Sequence, residues 1–299
     1  MKITRENLML VFTGLKTEFN KAFKGVTPVW DKIADEVPST TAAEQYFWVD
    51  AIAEVRKWVG DRVVKQLKGQ KYTIENEDYE LTVSVKKNHV EDDQTGQYLM
   101  RARGIGIKGG TFRDREVLSL LAAGTTELCY DGQPFFDADH PVVNPDTKQV
   151  ESVANIDAGG AGEFWYLLDT TQMIKPLVVQ RRQPFEFVAI TDLDAPNVFN
   201  NKEFIFGIDG RFGFGYSLWQ LAYASNQPLT EDNVDAAIDA MAAITNDEGE
   251  PLGIVPNLIV VGKSNRAAAR KLFKATNNAA GGSNTMFEAL EVIHTPRLA

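Results

Sequence analysis

The sequence is poor in the residues that metal, redox and nucleophilic chemistry draw on. One cysteine, Cys129, stands alone among 299 residues, so the chain forms no internal disulfide and no multi-cysteine metal site. Three histidines, His89, His140 and His294, leave few imidazole ligands or bases. No run of about 18 uninterrupted apolar residues occurs, which excludes a spanning helix. The opening residues 1–19 are broken by charge too soon for a signal peptide. Positive charge is scarce as well. Lys and Arg number 31 against 41 Asp and Glu, a net charge of −10, and such a surface repels phosphate backbones.

What is present is ordinary globular composition, 44% hydrophobic and 24% charged, enough for one large domain or two smaller ones. The charge is uneven. Residues 1–75 carry 12 basic and 10 acidic side chains, a balance of +2, while residues 76–299 carry 19 and 31, a balance of −12.

Hydrophobic spacing marks the elements. Thr4 caps a helix whose apolar positions Leu8, Phe12, Leu15, Phe19 and Phe23 step by three and four along one face, ending at Gly25. Residues 27–41, with Pro28 and Pro38, lose that period and read as an extended connector. Residues 44–59 hold Tyr46, Phe47, Trp48 and Trp58, so the N-terminal region has much apolar surface and no partner of its own. It docks either on the rest of the chain or on a neighbour. From Lys71 the period becomes two: Tyr72 and Ile74, a polar turn at 76–78, then Tyr79, Leu81, Val83 and Val85 alternating with polar residues. This predicts a hairpin over 71–86 with one apolar face, marginal alone and in need of a surface. Further on, the pattern predicts a helix over 112–123 closed by a left-handed Gly124, and strands at 176–180, 185–190 and 203–216. A helix capped by Thr230, a strand over 257–261, a helix carrying Ala268 and Leu272, and a loop at 276–285 follow.

Several strings invite a chemical reading. Gly104, Gly106 and Gly109 match the dinucleotide fingerprint G-x-G-x-x-G, with Asp131 about twenty residues on. The following helix starts late and no further βαβ unit appears, so a glycine hinge is the better account. Gly262-Lys263-Ser264 sits between a strand and a helix, yet Asn257 stands where a phosphate-binding loop needs its first glycine. Asp137, Asp139 and His140 are the most enzyme-like group, two carboxylates and an imidazole near Cys129. Further ligands are missing, and the same residues beside Pro141 suit a hydrogen-bonded turn. Lys175, Arg181 and Arg182 read as a salt-bridged strand end. No catalytic, cofactor or metal site is assigned.

Taken together and in order, the strings WVGDR (58–62), LLAAGTTELCYDGQPFFDADHP (120–141), WYLLDTTQMIKPLVVQRR (165–182), FGIDGRFGFGYSLWQLAYAS (206–225) and PLGIVPNLIVV (251–261) resemble the major head subunit of Mu-like phages. The resemblance implies an α+β chain with the Hong Kong 97-type fold of tailed-phage capsid proteins. Its parts would be an N-terminal arm (1–65), an extended hairpin or E-loop (66–92), a mainly peripheral domain (93–228) and a mainly axial domain (229–299). It implies a non-enzymatic subunit that assembles with itself into pentamers, hexamers and a closed icosahedral shell around double-stranded DNA. Contact candidates between subunits are Phe12, Phe19, Trp58 and Arg62 of the arm and Tyr72, Tyr79, Leu81 and Val83 of the hairpin. Expected partners besides itself are a portal and a separate scaffolding protein, since the chain begins at the arm. Assembly in the bacterial cytoplasm follows, with no membrane partner and no cofactor. Maturation would rearrange the packing through hinges at the arm and hairpin base. The glycines at 104–110 predict a short, bent or broken spine helix. The balance of +2 over residues 1–75 places the arm toward the interior or against acidic surface of adjacent subunits. The competing readings are an enzyme using the 104–109 loop or Asp137, Asp139 and His140, and another phage structural component.

Overall fold

The computed structural model describes residues 4–49, 69–92, 95–144, 147–246, 249–277 and 281–298. Helix α1 (Arg5–Lys24) starts where the Thr4 hydroxyl accepts the N–H of Asn7 at 3.2 Å and stops at Gly25. The expected connector after it is instead structured, as the single turn α2 (Trp30–Ile33) and the strand β1 (Ala34–Pro38). A distant residue does this. Asp114 Oδ1 accepts the N–H groups of Val29 and Trp30, both at 2.8 Å, and so caps a turn that local sequence would not hold.

Strands β2 (Ala43–Val49), β3 (Gly69–Glu75) and β4 (Glu77–Lys86) follow, then α3 (Lys87–Glu91), α4 (Thr95–Gly110) and α5 (Phe112–Ala123). The middle of the chain supplies β5 (His140–Val143), β6 (Val150–Val153), β7 (Ile156–Asp157), β8 (Trp165–Leu168) and the long β9 (Leu177–Ile190). After α6 (Pro196–Asn201) come the long β10 (Glu203–Tyr216) and β11 (Ala222–Ser225). Helix α7 (Glu231–Ala242), β12 (Leu258–Val261), α8 (Arg266–Phe273) and β13 (Glu291–His294) lie beyond. Among the described residues, no helix is long and apolar enough to cross a membrane.

Two sheets organise the molecule. One has four strands in the order β1-β9-β10-β4, and the other five in the order β13-β12-β8-β11-β7. Pro184 lies inside β9, where a central strand ordinarily loses a ladder bond. The β9–β10 register shifts between Asp209 and Phe212, and this irregularity accommodates the proline. On one face of the four-stranded sheet, Val85, Phe204, Phe206 and Ile208 bury against the Leu8, Phe12, Leu15 and Phe19 stripe of α1. Burial of each such side chain contributes about 1.5–3 kcal/mol. The larger core forms around the five-stranded sheet.

Two expectations are corrected here. The hairpin over 71–86 does not form. Asn76 carries the chain onward rather than reversing it, its N–H bonded to Ala42 O at 2.8 Å and its amide to Ser39 Oγ at 2.7 Å. β3 therefore pairs antiparallel with β2, from Ala43↔Glu75 to Val49↔Gly69, while β4 pairs with β10. Among the described residues, the two-stranded ribbon is thus formed by 43–49 and 69–75. Next, Gly124 is not left-handed, with φ −60°. Its lack of a side chain serves packing, because a Cβ there would lie 2.7 Å from the Phe136 ring. The five-stranded sheet joins β7, β8 and β11 to β12 and β13. Strand β1 pairs in parallel with β9.

Candidate assembly surfaces and the buried His140 cluster

Six of the eight contact candidates lie among the described residues, at buried or half-buried places. Phe12 packs edge-on to Phe204 and Phe206 at 6.0 and 6.2 Å between ring centroids, and Phe19 lies 5.6 Å from Phe187. Both are buried within their own chain, so α1 has found its partner internally. Tyr79 sits in an aromatic group with Phe112, 4.6 Å away, and donates its hydroxyl to Glu77 Oε2 at 3.0 Å. Tyr72 is half-buried, and burial pushes its phenol up. Leu81 and Val83 pack against the core beneath α1. Trp58 and Arg62 lie outside the described residues, as do 278–280 of the loop at 276–285.

The glycine string is a helix-packing surface. Helix α4 runs unbroken through Gly104, Gly106, Gly109 and Gly110, and the interruption falls at Thr111. A Cβ at Gly106 would meet Phe19 O at 2.5 Å and Ala22 Cβ at 2.9 Å, and one at Gly110 would meet Val26 Cγ2 at 2.8 Å. With buried Ala102, these positions form a small-residue stripe on which α1 lies. The cost of glycine in a helix is offset by the closeness of that approach. Their backbone N–H groups belong to the helix, which leaves no cradle for a pyrophosphate.

The enzyme-like string is rearranged too. His140 is fully buried, and its Nδ1 donates to Asp131 Oδ2 at 2.7 Å. Asp131 Oδ1 accepts from the Cys129 thiol and from the Gln133 N–H, each at 3.0 Å. His140 Nε2 faces Asn155 Oδ1 at 3.2 Å. The Asn155 amide nitrogen is held by the carbonyls of Phe135, Trp219 and Ala222, which fixes its oxygen toward the ring. Burial alone would raise the Asp131 carboxyl; the bonds from His140, Cys129 and Gln133 outweigh it and hold the group below its ordinary range. Burial, then the neighbouring Asp131, pushes the Cys129 thiol up, which keeps it a poor nucleophile. Asp137 and Asp139 stand outside this group. Asp137 Oδ1 accepts the Asp139 N–H at 2.9 Å, and Asp139 accepts from Ser152. They are turn residues.

Cys129, Asp131 and His140 offer ligand atoms within 4.8 Å of one another. Each is already bonded within the chain, so the arrangement reads as a closed polar network tying the 129–140 loop to β11 and Asn155. The sequence hinted at this network through Cys129 and His140, but Asn155 and Trp219 carried no local signal. Elsewhere Arg181 pairs with Glu36 at 3.0 Å and Lys175 with Asp35 at 3.7 Å; the ion pairs expected of this cluster form, but Arg181 lies inside β9 rather than at a strand end.

Apolar side chains remain uncovered along the outer faces of α1 and α4, at Met9, Leu10, Met100 and Ile107, and on the sheet at Val188 and Ile190. The β2–β3 ribbon has no further strand on either edge among the described residues. Polar residues closed into structural networks, together with open apolar faces and a ribbon without a further strand among the described residues, leave this chain with surface to cover but no catalytic group in the open.

The chain belongs to the family of the Mu-like prophage major head subunit gpT, which it matches over residues 8–298. It is 35% identical over 285 residues to the Mu-like prophage FluMu major head subunit of Haemophilus influenzae, covering 94% of this chain and 92% of that protein. To the major capsid protein of Escherichia phage Mu it is 33% identical over 300 residues, covering 98% of each. A chain from the procapsid of bacteriophage JBD30 superposes with TM-score 0.87 at 37% identity, covering 99% of this chain and all of that one. A chain of the JBD30 capsid gives 0.78 at 30% identity, with both chains wholly covered. The fold is that of the Hong Kong 97-type capsid proteins, and the function is that of a Mu-like phage major capsid protein, self-associating into the capsid of the virion.

Proposed function

We propose that this subunit acts by association alone, without turnover. Copies would close into rings of five and six, which a separate scaffolding protein guides into a shell with a portal at one vertex. The shell forms in the bacterial cytoplasm and holds double-stranded DNA by enclosure. The observation that carries this reading is the match to shell-forming relatives across nearly the whole chain. The β2–β3 pair would take the part of the E-loop, directed to a neighbouring subunit from a base that Tyr46 and Asn76 hold. Each contact is weak and the repetition makes the assembly durable.

Electron microscopy of purified protein, with and without the scaffolding protein, tests the proposal. Rings or closed shells are expected. A strictly monomeric species at high concentration with scaffold present overturns it.

A further inference from the structure

Charge in the last quarter of the chain is sorted by segment. Residues 229–262 hold seven Asp and Glu and no Lys or Arg; residues 263–287 hold five Lys and Arg and no Asp or Glu. The first set places Asp232, Asp235 and Asp239 along α7, and the second places Lys263, Arg266, Arg270, Lys271 and Lys274 along and beside α8. All eight residues are exposed, and none makes an ion pair with another described residue.

Helix dipoles account for only part of this. Acidic groups belong at a helix N-terminus and basic groups at its C-terminus, which explains Asp232 and also Arg270, Lys271 and Lys274. Asp239 lies in the last turn of α7, and Lys263 and Arg266 lie at the start of α8. These three oppose their own helix dipoles, so their placement serves something outside the helix. The two helices also occupy different parts of one sheet. α7 packs on β11 and α8 on β13, with β12 and β8 between those strands.

We propose that these two faces are the halves of one contact, the carboxylate face of α7 in one copy meeting the cationic face of α8 in the next. Opposite faces at separate positions on one chain give a head-to-tail contact, the type that closes into rings. The inference rests on the shell-subunit reading and assigns residues to one of its contacts. A second copy fits better than duplex DNA. DNA would engage α8 alone and leave the carboxylates of α7 unmatched beside it, whereas a second copy satisfies both.

Three variants test the contact: Asp235→Lys with Asp239→Lys, Arg266→Glu with Arg270→Glu, and all four changes together. Each pair should lower the yield of rings and shells at least about ten-fold, because like charges then face each other. The fourfold exchange should recover most of that yield. Melting of the unassembled chain reports whether each variant folds. If a reversal pair does not fold, Asp239→Asn with Arg266→Gln replaces it, and the expected result is a reduced dependence of assembly on salt. Assembly of both reversal pairs at the wild-type level overturns the contact and leaves the shell reading intact. Failure of the wild-type chain to assemble at all counts instead against the shell reading. Normal assembly of Arg266→Glu with Arg270→Glu, coupled to lost retention of a short DNA duplex, assigns the cationic face to DNA and also overturns the proposal.

Discussion

The His140 ring lies parallel to the Trp219 indole, with 3.9 Å between centroids and 5° between planes. The stack seals one face of the imidazole while Asp131 and Asn155 take its two nitrogens, so the ring is held from three directions. His140→Ala removes the stack and leaves the buried Asp131 carboxylate without its main donor. The expected loss is about 3 kcal/mol. Urea denaturation of the unassembled chain measures it, and His140→Phe, which keeps a ring but no donor, should recover only part.

Asp131 sets a pH dependence with a definite sign. Its pKa in the folded chain is depressed, so its contribution is fully present above the unfolded value of about 3.9 and is lost as pH falls through the folded value. The urea midpoint of the wild-type chain should therefore drop below about pH 4 more steeply than that of Asp131→Asn. Parallel pH curves for the two proteins would remove Asp131 from the account.

What the residues disclosed in advance divides along the range of the forces involved. Helices α1 and α5 were legible nearly to the residue and α7 at its start, because a periodic stripe and a capping Thr4 or Thr230 are local signals. Pairing was not. The alternation in 72–85 identified two strands correctly, but which strands they join depends on β2 and β10, and the local pattern is the same for either answer. The glycines at 104–110 were misread for a related reason. Propensity counts their cost inside a helix and cannot see α1 lying against them. At the candidate site, Cys129 and His140 stood out by residue type, yet their partners Asn155 and Trp219 lie 15 and 79 positions from the histidine.

The loop before β2 carries a second acid-sensitive bond set. Glu44 Oε1 accepts from the Thr40 N–H at 2.7 Å, the Ser39 hydroxyl at 3.0 Å and the Thr41 N–H at 3.1 Å, and these bonds depress its carboxyl to about 2. The bonds persist above the usual glutamate value and are lost as pH falls toward 2. In Glu44→Gln, the amides of Thr40 and Thr41 should exchange hydrogen faster at neutral pH than in the wild-type chain. Equal exchange rates would show that the loop holds itself without Glu44.

Cys129 should behave as an inert thiol. Its raised pKa and burial predict that a thiol reagent labels the native chain slowly and the urea-unfolded chain at once. Asp131→Asn removes a charge beside the sulfur and a bond to its neighbour His140, and should speed native labelling. A native rate matching that of the unfolded chain would contradict the buried network.

Two glycines two residues apart in α4 offer the sharpest comparison. Gly104 has nothing within 4 Å of where a Cβ would stand, whereas a Cβ at Gly106 would lie 2.5 Å from the Phe19 carbonyl oxygen. In the unassembled chain, Gly104→Ala should stabilise by about 1 kcal/mol, the helix-propensity gain. Gly106→Ala makes the same gain but forces α1 off the helix, for a net loss of about 2 kcal/mol. Thermal melting of the two variants separates the effects. If α1 instead belonged to a neighbouring subunit, both alanines would stabilise the isolated chain alike. Opposite signs therefore establish that the Phe12 and Phe19 stripe is seated in its own chain before assembly begins.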